Sequence, residues 1–400
     1  METMPEATNI PGATNLSLYK RDDGEHLASL IKSKTNKKTI LLASNILNDN
    51  TIFINGLGQN IAIFYHLFES LGHTCYFVQY NGAPSKALEY YNVITPDIII
   101  RQNIHIDLYI EIGMSLDPTT RSYLRSIGAK IVKIYLGNIL NIDIESVQSF
   151  TNLFFNHHLV GEVDDIWMSP HYLQNLEYGL AVNGVDISKG KIVPYVWEPI
   201  FINHGLVNNK ELNWIPPNDW RTTDIIIMDP NISFQKASFY SLLLVNAFAK
   251  RCREWKGNVI VINGDKLDIN SNVKNSIIPR LINLKDRIKL FGRKGIQDVM
   301  REYPSGCFIT NQWTNPFNYM TFELMYNGFP IIHNSDGWEA FGYYYSLNKW
   351  DDAISTLENA IKSHCNNMPI YKSHCARLLW KHSIYNPEIQ STWEGIIQTS

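Results

Sequence analysis

Two cations and one carboxylate in the second half of the chain have the types and the surroundings to hold a phosphorylated ligand. Lys236 follows the apolar run Asp224–Met228 in the sequence DPNISFQK, and Arg293 follows Arg287–Phe291 in FGRKG. A lysine in the first turn of a helix works against the helix dipole, so an anion docking there would explain its place. Together with Arg293 it would clamp a diphosphate and neutralise a leaving group carrying two negative charges. The alternative for Arg293 is an ordinary surface arginine in a basic loop. Glu323 stands inside the otherwise apolar stretch Tyr319–Asn327. Around it, Asn315-Pro316 fixes a turn, Asn318 is placed to cap a helix, and Gly328 stops that helix before the apolar strand Phe329–His333. A helix N-terminus beside a polar turn at the carboxyl end of a strand is where α/β proteins hold phosphates and sugars. The loop Thr314–Tyr319 and the amides near Met320 and Thr321 would then surround such a ligand.

The first half offers a second set. Gly56 and Gly58, in NGLGQN, lead toward a helix beginning near Gln59, where a backbone can approach an anion closely. No third glycine follows at the dinucleotide spacing and no acidic residue obviously ends the next strand, so binding of NAD is not expected. A tight turn before a helix is the alternative. Glu111 closes an apolar run beside Gly113, placed either as a general base or sugar-hydroxyl acceptor, or as a solvated loop carboxylate. Asn138 occupies the same edge one strand later, in YLGN. His157 and His158 are adjacent, so at most one is expected to face a site. No Asp-x-Asp triplet and no cluster of ligating side chains calls for a metal, and no cofactor is implied.

These residues need strands to present them. Strands are expected at Thr39–Ser44, Thr74–Tyr80, Asp97–Arg101, Leu108–Gly113, Lys130–Leu136, Asp165–Ser169 and Lys191–Val196, continuous apolar runs of the kind buried in parallel sheets. Amphipathic stretches such as Gln59–Leu71 and Pro118–Ile127 alternate with them. A Trp-, Pro- and Asn-rich interval containing Pro216-Pro217 interrupts the series, which restarts at Asp224–Met228. The division expected is a polar arm over 1–35, a first Rossmann-like domain over 36–200, a linker over 201–221, a second domain over 222–370, and a helix over 371–400 that crosses back. Two such domains imply a cleft, the usual place for a nucleotide-containing ligand.

Composition limits the function classes. The 400 residues carry a net charge of −3 with 18% charged residues, which argues against general binding to nucleic acid or a membrane surface. The 21 tyrosines and 10 tryptophans leave rings for stacking on bases or sugars as well as for the core. Five cysteines without a CxxC pair suggest neither zinc nor a disulfide framework, and a reducing compartment is expected. The N-terminal stretch is polar without an apolar h-region, and no segment is long enough to span a bilayer, so a cytoplasmic location is expected.

The order of these motifs resembles the GT-B glycosyltransferases, in particular the large retaining group called family four. That group carries a lysine after the first strand of the second domain and, later, a pair of glutamates spaced E-x7-E around a helix start. Lys236 matches the lysine and Glu323 the second glutamate, while the position of the first is Asn315. An amide still donates to and accepts from sugar hydroxyls. The resemblance implies two Rossmann-like doubly wound α/β domains facing each other across a cleft, without need of a metal. Lys236 and Arg293 would hold the diphosphate, Glu323 the ribose, Phe291 and Arg293 would border the base, and Gly56–Asn60 would close over the donor. Glu111, Asn138 and His158 would face the acceptor. The runs Asn315–Tyr319, His333–Ser335 and Gly342–Tyr345 are similar to a less-characterised bacterial and viral domain family placed with these enzymes. The activity implied is transfer of a sugar, with retention, from a nucleoside diphosphate sugar, a UDP-sugar first, to a hydroxyl of a glycan or glycoprotein, with viral capsid or surface glycan assembly as a setting. A sugar-nucleotide epimerase or phosphorylase of the same fold, or a non-catalytic carbohydrate-binding scaffold, are the alternatives.

Overall fold

The computed structural model of the protein describes residues 36–43, 56–80, 91–149, 162–204 and 212–400. The expected arm over 1–35, part of the expected linker, and the pair His157 and His158 lie outside them.

Two all-parallel sheets form from the apolar runs. In the first, β1 (Thr39–Ala43), β2 (Thr74–Val78), β3 (Val93–Ile94), β4 (Leu108–Glu111), β5 (Lys130–Tyr135), β6 (Asp165–Met168) and β7 (Gly190–Ile192) lie in the order β3-β2-β1-β4-β5-β6-β7. In the second, β8 (Ile225–Ile227), β9 (Val259–Val261), β10 (Ile288–Leu290), β11 (Cys307–Ile309), β12 (Ile331–His333) and β13 (Tyr343–Tyr344) lie in the order β10-β9-β8-β11-β12-β13. Strand direction of winding reverses between β1 and β4 in one sheet and between β8 and β11 in the other. A doubly wound sheet opens a crevice at such a switch point, beyond the carboxyl ends of the strands. The two Rossmann-like domains face each other across a cleft, the GT-B architecture.

One expected strand is a helix. Residues Pro96–Arg101 coil because Thr95 accepts a hydrogen bond from the Ile98 amide at 3.3 Å and Pro96 supplies the first helical φ, a combination that outweighs the β-branched run Ile98–Ile100. The edge strand is instead the two residues Val93–Ile94. Strand β13, at the second sheet's edge, was not anticipated, since a two-residue strand has no periodicity to read.

The domains meet through an aromatic cluster. Tyr195 and Trp197, just past β7, pack on Phe317 and Phe322 of the second domain, with ring centroids 3.4 Å apart for Tyr195–Phe317 and 5.6 Å for Trp197–Phe322. Within the expected linker the chain already belongs to the second domain at Trp214, whose amide donates to the Asn327 carbonyl and whose indole donates to Gly306. On the other side of the cleft, the first-domain helix Ile139–Ser149 reaches across: Glu145 accepts from the Ser233 hydroxyl at 2.7 Å and from the Phe234 amide at 3.0 Å.

The C-terminal stretch is two helices rather than one. The first, Trp350–Lys381, lies on the second domain, and the chain breaks at His382, whose carbonyl accepts from the Trp197 amide. The second, Pro387–Gln398, packs on the first domain, where Trp393 meets Phe64, Phe68 and Trp167 at 5.0, 5.5 and 5.6 Å. Trp393 is fully buried and its indole donates to the Pro194 carbonyl at 3.1 Å. Trp393→Ala is therefore expected to cost about 3–5 kcal/mol, read as a lowered urea midpoint of first-domain unfolding. An unchanged midpoint would mean that this helix does not hold the first domain together.

Candidate functional site

The second sheet's switch point is built around a buried carboxylate. Asp229 follows β8 with no exposed surface, and accepts from the Thr310 hydroxyl at 2.6 Å, the Gln312 amide nitrogen at 3.1 Å and the Asn311 backbone at 3.4 Å. The ends of β8 and β11 are thereby tied together. Burial pushes the Asp229 carboxyl up to about 6. The turn that follows is rigid: Asn231 sits in the left-handed region at φ 55°, which asparagine tolerates, and its side chain accepts from the Ser238 amide at 2.8 Å. Its amide donates to the Lys236 carbonyl at 3.1 Å. Lys236 ends a separate 3-10 turn, Phe234–Lys236, ahead of the helix Phe239–Arg251, and so is not in that helix's first turn as the sequence suggested. Burial lowers its pKa and the Asp229 charge opposes the shift. Its position thus has a partner in Asp229 as well as a view of the cleft.

The loop after β11 is stitched to the loop after β12. Gln312 and Asn334 exchange hydrogen bonds, each 2.8 Å, between the backbone of the first and the side-chain amide of the second. Tyr345 donates to the Thr310 carbonyl at 3.0 Å from behind. This scaffold delivers the chain to Asn318, whose side chain accepts from the Met320 amide at 3.2 Å and caps the helix Tyr319–Tyr326 as expected. The helix ends at Asn327, and Gly328 follows at φ 73°. Glu323, one turn inside, is 6% exposed, and burial raises its carboxyl to about 8 against the opposing hydrogen bond from Gln59 of the first domain.

Two cavities open onto this helix. The smaller, about 170 Å³, brings together Gln59, Lys236, Arg293, Met320 and Glu323. The larger, about 670 Å³, lies between the domains and shares Gly56, Lys236, Asn318 and Tyr319 with the first. Gly56 packs closely there: a Cβ would come within 3.2 Å of the Tyr319 ring, which would have to give way slightly. Lys133, on β5, lines the larger cavity from the first domain. Among the described residues no group of three His, Cys, Asp or Glu side chains is placed to hold a metal.

Of the residues singled out in the sequence, Gly56, Gln59, Lys236, Arg293, Asn318, Tyr319, Met320 and Glu323 gather at these two cavities. Several others do not. Gly58 is buried within the helix Gly56–Ser70 rather than in a loop before it, and Gly56 is that helix's first residue. Phe291 packs beneath the Lys294 ammonium, 4.7 Å from its ring, and only Arg293 and Lys294 of that loop reach the small cavity. Thr321 is fully buried inside its helix. Asn315 accepts from the Tyr172 hydroxyl and lines a different cavity of about 550 Å³, while Phe317 packs in the aromatic cluster and lines the larger cavity. Asn138 is a latch between the domains: its side-chain nitrogen donates to the Thr314 carbonyl at 2.6 Å. Glu111 is not a cleft-facing base, since it is fully buried, ion-paired to Arg121, 3.6 Å from Lys133 and hydrogen-bonded by Ser115. His158 falls outside the described residues.

Two functional candidates escaped the sequence reading. Asp229, in the run DPNISFQK, was not singled out. Lys133 was passed over within an expected strand, although a lysine in the middle of KIVKIYL is the signal of a buried charge.

Paired parallel sheets with their switch points turned to a common cleft define a GT-B fold. The fold agrees with solved structures across nearly the whole chain. A glycosyltransferase from Rickettsia africae aligns at TM-score 0.57 and 16% identity, covering 91% of this chain and 100% of that one. Anabaena HepE, solved with UDP and glucose, aligns at 0.54 and 12% over 90% and 100%. The catalytic domain of starch synthase IV from Arabidopsis thaliana, solved with ADP and acarbose, aligns at 0.60 and 11% over 91% and 99%. No curated protein is significantly similar in sequence. The chain belongs to the family described as protein of unknown function (DUF2827), whose profile matches residues 42–397. No helix among the described residues is long and apolar enough to cross a membrane.

Proposed function

We propose that the protein is a glycosyltransferase that takes a sugar from a nucleoside diphosphate sugar, a UDP-sugar first, and delivers it to a hydroxyl of a glycan acceptor. One observation carries this reading: Lys236, Arg293 and Glu323 converge on one small cavity at the second sheet's switch point, beside the N-terminus of the helix Tyr319–Tyr326. In this reading Lys236 and Arg293 neutralise the diphosphate as it departs, and amides of the helix N-terminus add partial positive charge. Glu323 holds the ribose hydroxyls, with Gln59 closing from the first domain. The sugar projects into the larger cavity, where the acceptor meets it.

Retention of configuration and independence of metal are part of the proposal. The departing phosphate oxygen assists the incoming hydroxyl on the same face of the sugar, so the protein's work is to orient both substrates and to stabilise the leaving group. Two cations from the chain itself supply that stabilisation.

A thermal-stability screen with UDP, GDP, ADP and CMP tests the reading. A nucleotide at 100 times its Kd adds about 2.7 kcal/mol of stability, so one diphosphate is expected to raise the melting temperature clearly above the others. No shift with any of the four would count against a sugar-nucleotide site.

A further inference from the structure

The larger cavity holds a charge that the donor does not explain. Lys133 is 1% exposed on β5, and its ammonium makes no hydrogen bond among the described residues, Glu111 being 3.6 Å away. Glu111 is meanwhile satisfied by Arg121 and by the Ser115 hydroxyl. Buried Lys133 and half-buried Arg121 thus share one carboxylate, and a positive charge is left over. Burial of an ammonium without a full set of hydrogen bonds is costly, and burial holds Lys133 at a depressed pKa of about 8 against the opposing Glu111 charge. Retaining such a charge at a cavity wall makes sense where a ligand completes it. The lining points the same way. Among its described residues the charged ones are Lys133 and Lys236, one from each domain, with no carboxylate between them. Lys236 faces the donor side, shared with the smaller cavity, whereas Lys133 does not line that cavity.

We propose that Lys133 holds an anionic group, a carboxylate or a phosphate monoester, on the acceptor sugar. This rests on the reading of the cleft as a sugar-transfer site and narrows its acceptors to acidic ones. The rings of Tyr135, Tyr195 and Tyr319 around the same cavity supply faces for the sugar while the ammonium fixes its orientation. A neutral acceptor would leave the ammonium without a hydrogen bond and with only the 3.6 Å contact to Glu111, so discrimination comes from the protein's own incompletely satisfied charge.

Calorimetric titration of UDP-saturated protein with methyl glucoside, methyl glucuronide and glucose 6-phosphate provides the test, and the two charged probes separate carboxylate from phosphate. Wild type is expected to prefer one charged probe over the neutral glucoside by about tenfold or more, the range of a charge-assisted hydrogen bond. Lys133→Met should abolish the preference with UDP affinity unchanged, and Lys133→Arg should restore it in part. Because Arg121 and Ser115 remain on Glu111, Lys133→Met is also expected to fold and to melt at a higher temperature than wild type. Equal binding of charged and neutral probes to wild type, survival of the preference in Lys133→Met, or loss of UDP affinity in that variant would each overturn the proposal. Should wild type not bind UDP, the same titrations run without it. A Lys133-dependent preference there would uphold the anion site and leave the transferase reading as the one that failed.

Discussion

Lys236→Ala is expected to lower kcat/KM for the sugar nucleotide by about 10²–10³-fold, the loss seen when one preorganised charge is taken from a transition state. One further negative charge develops on the already anionic diphosphate as it departs, and its neutralisation falls to Lys236 and Arg293 at the small cavity. The turn that carries Lys236 is held by Asn231 and Ser238 through backbone and amide contacts that do not involve its ammonium. Asp229 keeps its three donors, Thr310, Asn311 and Gln312, when the lysine is gone. The fold should therefore survive, which thermal unfolding of the variant checks directly. Release of nucleoside diphosphate over time measures the activity. Turnover close to wild type in a folded Lys236→Ala would remove Lys236 from the mechanism.

Glu323 has the second large effect, and it appears in stability as well as in binding. Its carboxyl is raised from 4.5 to about 8 by burial, so the folded protein keeps a proton that the unfolded chain releases above about pH 4.5. Stability from this group is complete below the unfolded pKa and declines as pH rises toward the folded one, by at most about 1.4 kcal/mol per pH unit. Asp229 acts with the same sign but is finished near pH 6. Buried His333 and His382 and half-buried His171, with pKa values of about 3 to 4, push the other way below pH 7. The informative quantity is thus the difference between wild type and Glu323→Gln, which shares those groups. Between pH 6 and 8 the urea midpoint of wild type is expected to fall relative to that of Glu323→Gln. Parallel curves would place the Glu323 carboxyl outside the buried position described. In binding, Glu323→Ala is expected to weaken UDP by about tenfold through loss of ribose hydrogen bonds. Glu323→Gln, which keeps an acceptor, should weaken it less.

Much of the frame was legible in the sequence because buried parallel strands are continuous apolar runs and leave a plain signal. The stretch Ile98–Ile100 misled, since its β-branched residues outweighed a Thr-Pro cap that a closer reading of Thr95 and Pro96 would have respected. At the site, Lys236 and Glu323 were readable from type and local context: a lysine just past a strand and a carboxylate in an apolar helix. Asn138, Asn315 and Glu111 were read at the right edges but with the wrong partners. Their roles depend on side chains far along the chain: Thr314 for Asn138, Tyr172 for Asn315, and Arg121 and Lys133 for Glu111. Nothing in local spacing reveals such pairings. Lys133 shows the opposite case, a signal present within one strand: a lysine among apolar residues.

Co-crystallisation with UDP tests the central claim most directly. The diphosphate is expected within hydrogen-bonding distance of the Lys236 ammonium and the Arg293 guanidinium, with the ribose hydroxyls at Glu323. A nucleotide ordered instead in the cavity beside Asn315 and His171, with Lys236 and Glu323 untouched, would contradict the account.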